Sequence, residues 1–142
     1  MAPLARYLVD NSALNRIQRQ PAVRDRLQPL IDKGLVGVCQ VTVLEGCAPA
    51  PSPGDYLRLQ AYYSQFEMLD TTPAALDLAL ELQLRLARQS QHHNVPLPDL
   101  IMAGTAIRCG VVMLHYDADF DKTAQVDDRL VSEWVVPRGS VP

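Results

Sequence analysis

Four apolar residues in a row, Val111 to Leu114, follow Gly110 and run into the polar stretch HYDADFD. A run that short, half of it β-branched and without alternation, is the pattern of a strand covered on both faces. Such strands belong to parallel sheets with helices on either side. The rest of the chain supplies those layers. RYLVD is strand-compatible and stops at Asp10, after which Asn11 and Ser12 can cap a helix running through Leu14 and Ile17. Ala22 to Asp32 places Val23, Leu27, Leu30 and Ile31 at helical spacing, with Gly34 as its terminator. LVGVCQVTV starts as a short buried strand and turns into a helix near Thr42 that holds Glu45. CAPAPSPGD, with Pro49, Pro51 and Pro53, reads as a loop. Tyr56 to Phe66 reads as a helix, EMLDT as a brief strand, Leu100 to Cys109 as a helix opened by Asp99, and LVSEWVV as a last strand; Gly110 closes the helix before VVML. Strands alternating with helices predict a three-layer α/β/α sandwich with a mostly parallel central sheet, one domain over residues 1–142, with 136–142 as a flexible tail.

One segment conflicts with its own periodicity. Leu76, Leu78, Leu80, Leu82, Leu84 and Leu86 alternate with polar residues and alanine, a period of two that suggests a strand. The stretch nevertheless lacks β-branched residues, consists of strong helix formers and follows Thr72 and Pro73, an N-cap and first-turn pair. It is expected to be a helix. Its leucines then fall on two opposite sides, so one side should meet the sheet and the other a further helix or a second subunit.

Composition excludes several classes. The 142 residues are 48% hydrophobic and 20% charged, which suits one cored domain and neither a disordered nor a coiled-coil chain. No apolar run approaches the roughly 18 to 20 residues needed to cross a bilayer, and MAPLARYLVDNSAL does not read as a secretory leader. A soluble, cytoplasmic protein without membrane contact is expected. Cys39, Cys47 and Cys109 are odd in number and form no CxxC pair, so neither a disulfide framework nor a zinc knuckle is indicated. No GxxxxGK[ST], GxGxxG or GxSxG motif occurs. The net charge of −3 hides an asymmetry: Arg6 to Lys33 holds six bases and three acids, while Asp99 to the end holds seven acids and four bases. A basic flank beside an acidic centre suits a site that holds cations and attracts a polyanion, although such runs also form ordinary solvated helix faces.

In open α/β sheets ligands bind outside the carboxyl ends of the strands. That rule selects Asp10 after the first strand, Glu45 after the second, Asp99 opening a late helix, and Asp117 with Asp119 after VVML. Each could be a helix cap or turn residue instead. Brought together, they would repel one another and resist ionisation unless a hard divalent cation neutralised them. Carboxylates holding such a cation are equipment for phosphodiester hydrolysis.

LVDNSAL, VTVLEG, PDLIMAGTA and HYDADF, in that order over nearly the whole chain, resemble the four acidic motifs of PIN-domain ribonucleases, in particular the VapC toxins of bacterial toxin–antitoxin pairs. The resemblance implies a PIN-like fold and an endoribonuclease that cleaves RNA with Mg²⁺, or Mn²⁺ in its place. It further implies a homodimer held inactive by a cognate VapB-type antitoxin, whose C-terminal segment occupies the active site. Carried over by position, Asp10 is the first metal ligand, Glu45 the second acid, Asp99 the third and Asp117 the fourth, with Asp119 an additional or alternative member. Ser12 matches the hydroxyl residue two places after the first acid, which can orient a ligand or water. In the resulting mechanism Asp10, Asp99 and Asp117 hold one or two Mg²⁺ ions, and Glu45 positions or deprotonates the attacking water. Asn11 stands where Thr is more usual, and the proline-rich 48–54 segment departs from relatives that continue a helix past the glutamate.

Two other readings fit an aspartate after the first strand. One is a phosphotransfer domain of the haloacid-dehalogenase or receiver type, of which the former wants a second aspartate two positions on, where Ser12 stands. A non-catalytic interaction module would keep the fold and bind a partner through the leucine-rich helix. For the histidines, His92 and His93 are expected at an exposed helix end and His115 in a capping or surface role, while Trp134 is expected in the core.

Overall fold

The computed structural model describes residues 2–142. Five strands form one sheet: β1 (Tyr7–Val9), β2 (Val36–Val38), β3 (Glu67–Met68), β4 (Val112–His115) and β5 (Ser132–Trp134), in the spatial order β3-β2-β1-β4-β5. All four pairings are parallel, with Leu8 opposite Gly37 on one side and Met113 on the other. Around the sheet lie α1 (Asn11–Leu14), α2 (Pro21–Asp32), α3 (Gln40–Cys47), α4 (Pro53–Tyr63), α5 (Pro73–Ala87), α6 (Leu97–Cys109) and α7 (Ala118–Val126). This is the expected α/β/α sandwich, with a sheet that is wholly parallel.

The two cores follow from the alternation of side chains along each strand. Leu8 and Met113 point into a cluster with Leu82 and Leu86 of α5, Met102 and Ala106 of α6, and Phe120 of α7. Their neighbours Val9 and Leu114 point the other way, joining Leu14, Val23, Leu27, Tyr63 and Val135. A strand with both faces occupied has no use for polar alternation, which is why VVML reads as a continuous apolar run.

Several boundaries moved for local reasons. The proline-rich loop is shorter than expected: Ser52 Oγ accepts from the Asp55 N–H at 3.1 Å and Pro53 takes the first helical position, so α4 starts at Pro53. Helix α6 likewise starts at Leu97, leaving Asp99 in its first turn, and ends on Gly110 at φ 69°. The helix expected through Ile17 closes as α1 at Leu14 and continues as turns. Helix α7, between β4 and β5, was not expected. Asp117 caps it through the Asp119 N–H at 2.9 Å, and Phe120 and Thr123 are its buried residues.

The leucine-rich segment is helical, from a Thr72 cap bonded to the Ala75 N–H at 3.2 Å. Ala75, Ala79, Leu82 and Leu86 form its buried face against α6, where Gly104 allows the helices to touch: a Cβ there would lie 2.4 Å from the Ala75 carbonyl oxygen. Leu76, Leu80 and Leu84 remain 44%, 66% and 53% exposed. Residues 136–142, expected as a flexible tail, lie back on the domain: Val136 is buried, and Tyr116 Oη donates to the Val141 carbonyl at 2.7 Å and accepts from the Gly139 N–H at 2.9 Å. Trp134, expected in the core, is only half-buried, whereas His115, expected in a capping or surface role, has no exposed area and accepts the Asp117 N–H at 3.0 Å. The three cysteines are free thiols. Among the described residues no helix is long and apolar enough to cross a membrane.

Candidate metal centre

The expected acids converge. Asp10 follows the central strand β1, Asp117 follows its neighbour β4, Glu45 projects from α3, and Asp99 comes from the first turn of α6. With Ser12, Asn15 and Gly46 they line a cleft of about 400 Å³. Carboxylate oxygens of Asp10, Glu45 and Asp99 lie within 4.8 Å of one another, as do those of Asp99, Asp117 and Asp119. Asp99 therefore joins two potential coordination groups. Asp119 is not part of the cleft lining, and its Oδ1 accepts from Lys122 Nζ at 2.9 Å.

The local structure explains why these side chains face one point. The Asp10 N–H donates to the Leu114 carbonyl at 2.9 Å, holding the end of β1 against β4. Asp10 Oδ2 then caps α1 by accepting from the Ser12 N–H at 3.1 Å. Ser12 Oγ in turn accepts from the Tyr116 N–H at 2.9 Å, so the turns after β1 and β4 are tied together.

The centre carries unbalanced negative charge. Among the described residues no lysine or arginine pairs with Asp10, Glu45, Asp99 or Asp117. Burial pushes the Asp99 carboxyl up to about 8, helped by repulsion from Asp10, Asp117, Asp119 and Glu45. Burial also raises Asp10, against the opposing hydrogen bonds from Ser12, and raises Glu45, with Asp10 adding to it. A hard cation would offset these costs, and a set of carboxylate oxygens without sulfur or imidazole donors fits Mg²⁺ or Mn²⁺. The donor set thus fits a metal site.

Other contributors were invisible as motifs. Asn11 is buried, donating from Nδ2 to the Thr42 carbonyl at 2.8 Å and accepting at Oδ1 from Tyr63 Oη at 2.6 Å. It thereby joins α1, which follows Asp10, to α3, which carries Glu45. Gly46 makes room for this contact, since a Cβ would lie 1.9 Å from Tyr63 Oη. Asn11 at the start of a helix gives no hint of partners 31 and 52 residues away. The basic flank is divided: Arg26 pairs with Glu133 at 2.8 Å, while Arg16 and Arg19 line a depression that meets the acidic cleft at Asn15.

Comparison with known proteins agrees with this geometry. A family model described as the PIN domain matches residues 7–126. Ribonuclease VapC51 of Mycobacterium tuberculosis (strain ATCC 25618 / H37Rv) is 38% identical over 136 residues, covering 96% of this chain and 97% of that one. Ribonuclease VapC21 of the same species (strain CDC 1551 / Oshkosh) is 39% identical, covering 95% and 97%. Among solved structures, the DNA-bound VapBC of Salmonella typhimurium superposes with a TM-score of 0.75 at 19% identity, covering 93% of this chain and 99% of that chain. FitAcB of Neisseria gonorrhoeae superposes with a TM-score of 0.70 at 16% identity, covering 89% and 95%.

Proposed function

This chain belongs to the PIN-domain family, and from that premise we propose that it is a VapC-type ribonuclease, the toxin of a type II toxin–antitoxin pair, hydrolysing RNA phosphodiester bonds in the cytoplasm. The observation that carries the reading is the convergence of Asp10, Glu45, Asp99 and Asp117 on one cleft, where among the described residues no lysine or arginine pairs with them. In this reading Asp10, Asp99 and Asp117 hold Mg²⁺, or Mn²⁺ in its place, with Asp119 as an auxiliary carboxylate. The bound ion would supply charge neutralisation and a more acidic water. Glu45, exposed at the rim, accepts the proton of the attacking water, and its raised carboxyl brings it closer to neutral pH, as a general base requires. Ser12 holds its hydroxyl at the cleft wall, where it orients a ligand or water. Arg16 and Arg19 give the adjoining depression the charge to receive the RNA backbone.

Two partners follow from the same surfaces. An antitoxin of VapB type would place an arginine or lysine among the carboxylates, forming ion pairs with them. A second copy of this chain would cover the exposed stripe of Leu76, Leu80 and Leu84 on α5, giving a homodimer.

The test is cleavage of RNA by the purified protein with Mg²⁺, with EDTA, and after Asp10→Asn. Metal-dependent cleavage lost in the variant supports the nuclease. A phosphorylated protein supports phosphotransfer, and antitoxin binding with neither activity supports a non-catalytic module.

A further inference from the structure

Behind the cleft lies a buried histidine that the mechanism does not use. His115 ends β4, has no exposed area, and packs between Phe120 and Trp134, with ring centroids 5.0 and 5.2 Å from its own. Its Nδ1 accepts from the Asp117 N–H at 3.0 Å, and its Nε2 lies 2.6 Å from Ser132 Oγ. Ser132 Oγ donates to Asp121 Oδ1 at 2.9 Å, and Trp134 Nε1 donates to Asp121 Oδ2 at 2.7 Å.

One proton arrangement fits all of these contacts. A backbone N–H can only donate, so Nδ1 carries no proton and the ring proton of the neutral imidazole is on Nε2. Nε2–H then donates to Ser132, whose own proton goes to Asp121. Every donor in the chain runs from Asp117 towards the Asp121 carboxylate. A negative group at the far end strengthens Nδ1 as an acceptor, because linked hydrogen bonds polarise one another.

We propose that His115 is a positioning residue of the metal centre: by accepting the Asp117 N–H it fixes the turn after β4 so that the Asp117 and Asp119 carboxylates face Asp99. The turn has two anchors. Ser12 Oγ takes the Tyr116 N–H and His115 takes the next one, so the backbone leading into Asp117 is held from both sides. Asp117 Oδ1 then accepts from the Asp119 N–H, passing the constraint to the second carboxylate. Ser132, Asp121 and Trp134 hold the imidazole in the required tautomer and orientation, as partners of metal ligands do elsewhere.

This inference rests on the cleft being a metal site, so the test measures Mn²⁺ binding by calorimetry on the full chain without RNA. His115→Asn puts an amide oxygen near the position of Nδ1 and keeps an acceptor for the Asp117 N–H. His115→Gln puts an amide nitrogen near Nε2, keeps the Ser132 contact and deprives Asp117 of its acceptor. Expected is a loss of roughly 10- to 100-fold in Mn²⁺ affinity for His115→Gln, with His115→Asn within about threefold of the parent. Urea unfolding, run alongside, should not reproduce that order. Equal affinities in the two variants, or losses that merely follow their stabilities, overturn the inference and leave the metal reading intact. A parent chain that binds no Mn²⁺ overturns both. Should either variant fail to fold, the ¹⁵N spectrum of the parent decides: a ring proton on Nε2 supports the assignment, and one on Nδ1 refutes it.

Discussion

Replacing Asp99 by asparagine should make the metal-free protein more stable while removing one of the proposed ligands from its centre. The carboxyl has an ordinary value of 3.8 and stands at about 8 in the folded chain, chiefly because it is buried and secondarily because of four neighbouring acids. Below pH 3.8 both folded and unfolded forms hold the proton, and Asp99 contributes nothing. Between about 4 and 8 the unfolded chain has released its proton and the folded chain has not, so folding loses about 1.4 kcal/mol per pH unit. Above about 8 both forms are ionised and the penalty is complete. The full span of roughly four pH units would amount to about 6 kcal/mol, but the cleft opens to water, which screens the repulsion, and about 3 kcal/mol is a realistic share. For a chain of this length that is about 10 °C in Tm. Urea unfolding in EDTA, followed by circular dichroism, should show Asp99→Asn near parity with the parent at pH 4, increasingly ahead up to pH 8 and level thereafter. Adding Mg²⁺ at pH 8 should stabilise the parent far more than the variant. A variant no more stable than the parent at pH 8 without metal, or an advantage independent of pH, would refute the claim that Asp99 carries uncompensated charge.

Gly46→Ala should displace Tyr63 from Asn11, at a cost of about 1 to 3 kcal/mol, since its Cβ would meet Tyr63 Oη at 1.9 Å; unchanged denaturant midpoints would contradict the crowding. Asp127 behaves oppositely to Asp99: hydrogen bonds from Arg129 hold its carboxyl below the ordinary value, so its contribution is present at neutral pH and disappears as acid protonates it. Asp127→Asn should therefore destabilise by about 1 to 3 kcal/mol at pH 7, with the difference shrinking in acid unfolding experiments. Leu80→Glu, at a position 66% exposed, should leave the monomer fold intact and convert the proposed dimer to monomer in light scattering after gel filtration. Persistence of the dimer would move the interface elsewhere.

Positions whose meaning is local were legible in the sequence. Asp10 and Asp117 end apolar strand runs, Thr72 with Pro73 starts a helix, and Gly110 at φ 69° stops one. Each of these depends on neighbours within a few residues. The misses depend on distant contacts. Helix α7 has just Phe120 and Thr123 buried, too few anchors for its polar sequence to announce a period, although a parallel β4–β5 pair needs a crossover and commonly uses a helix. The period-two leucines identified two faces of α5 but not which one Gly104 would admit against α6. The role of Asn11 as a tie was not legible because its partners Thr42 and Tyr63 meet it only across the fold. His115 became a core residue because Phe120 and Trp134 enclose it, and nothing in HYDADFD specifies that.

The central position of β1, flanked by β2 and β4, has a consequence for biosynthesis. The strand that brings Asp117 beside Asp10 is made more than a hundred residues after Asp10 itself. At typical elongation rates of about 5 to 20 residues per second, several seconds of translation pass in which Asp10 awaits Asp117. A truncated product ending before β4 would carry three of the four principal acids and no closed cleft. Assembly of the acidic centre would thus be withheld until β4 has been made.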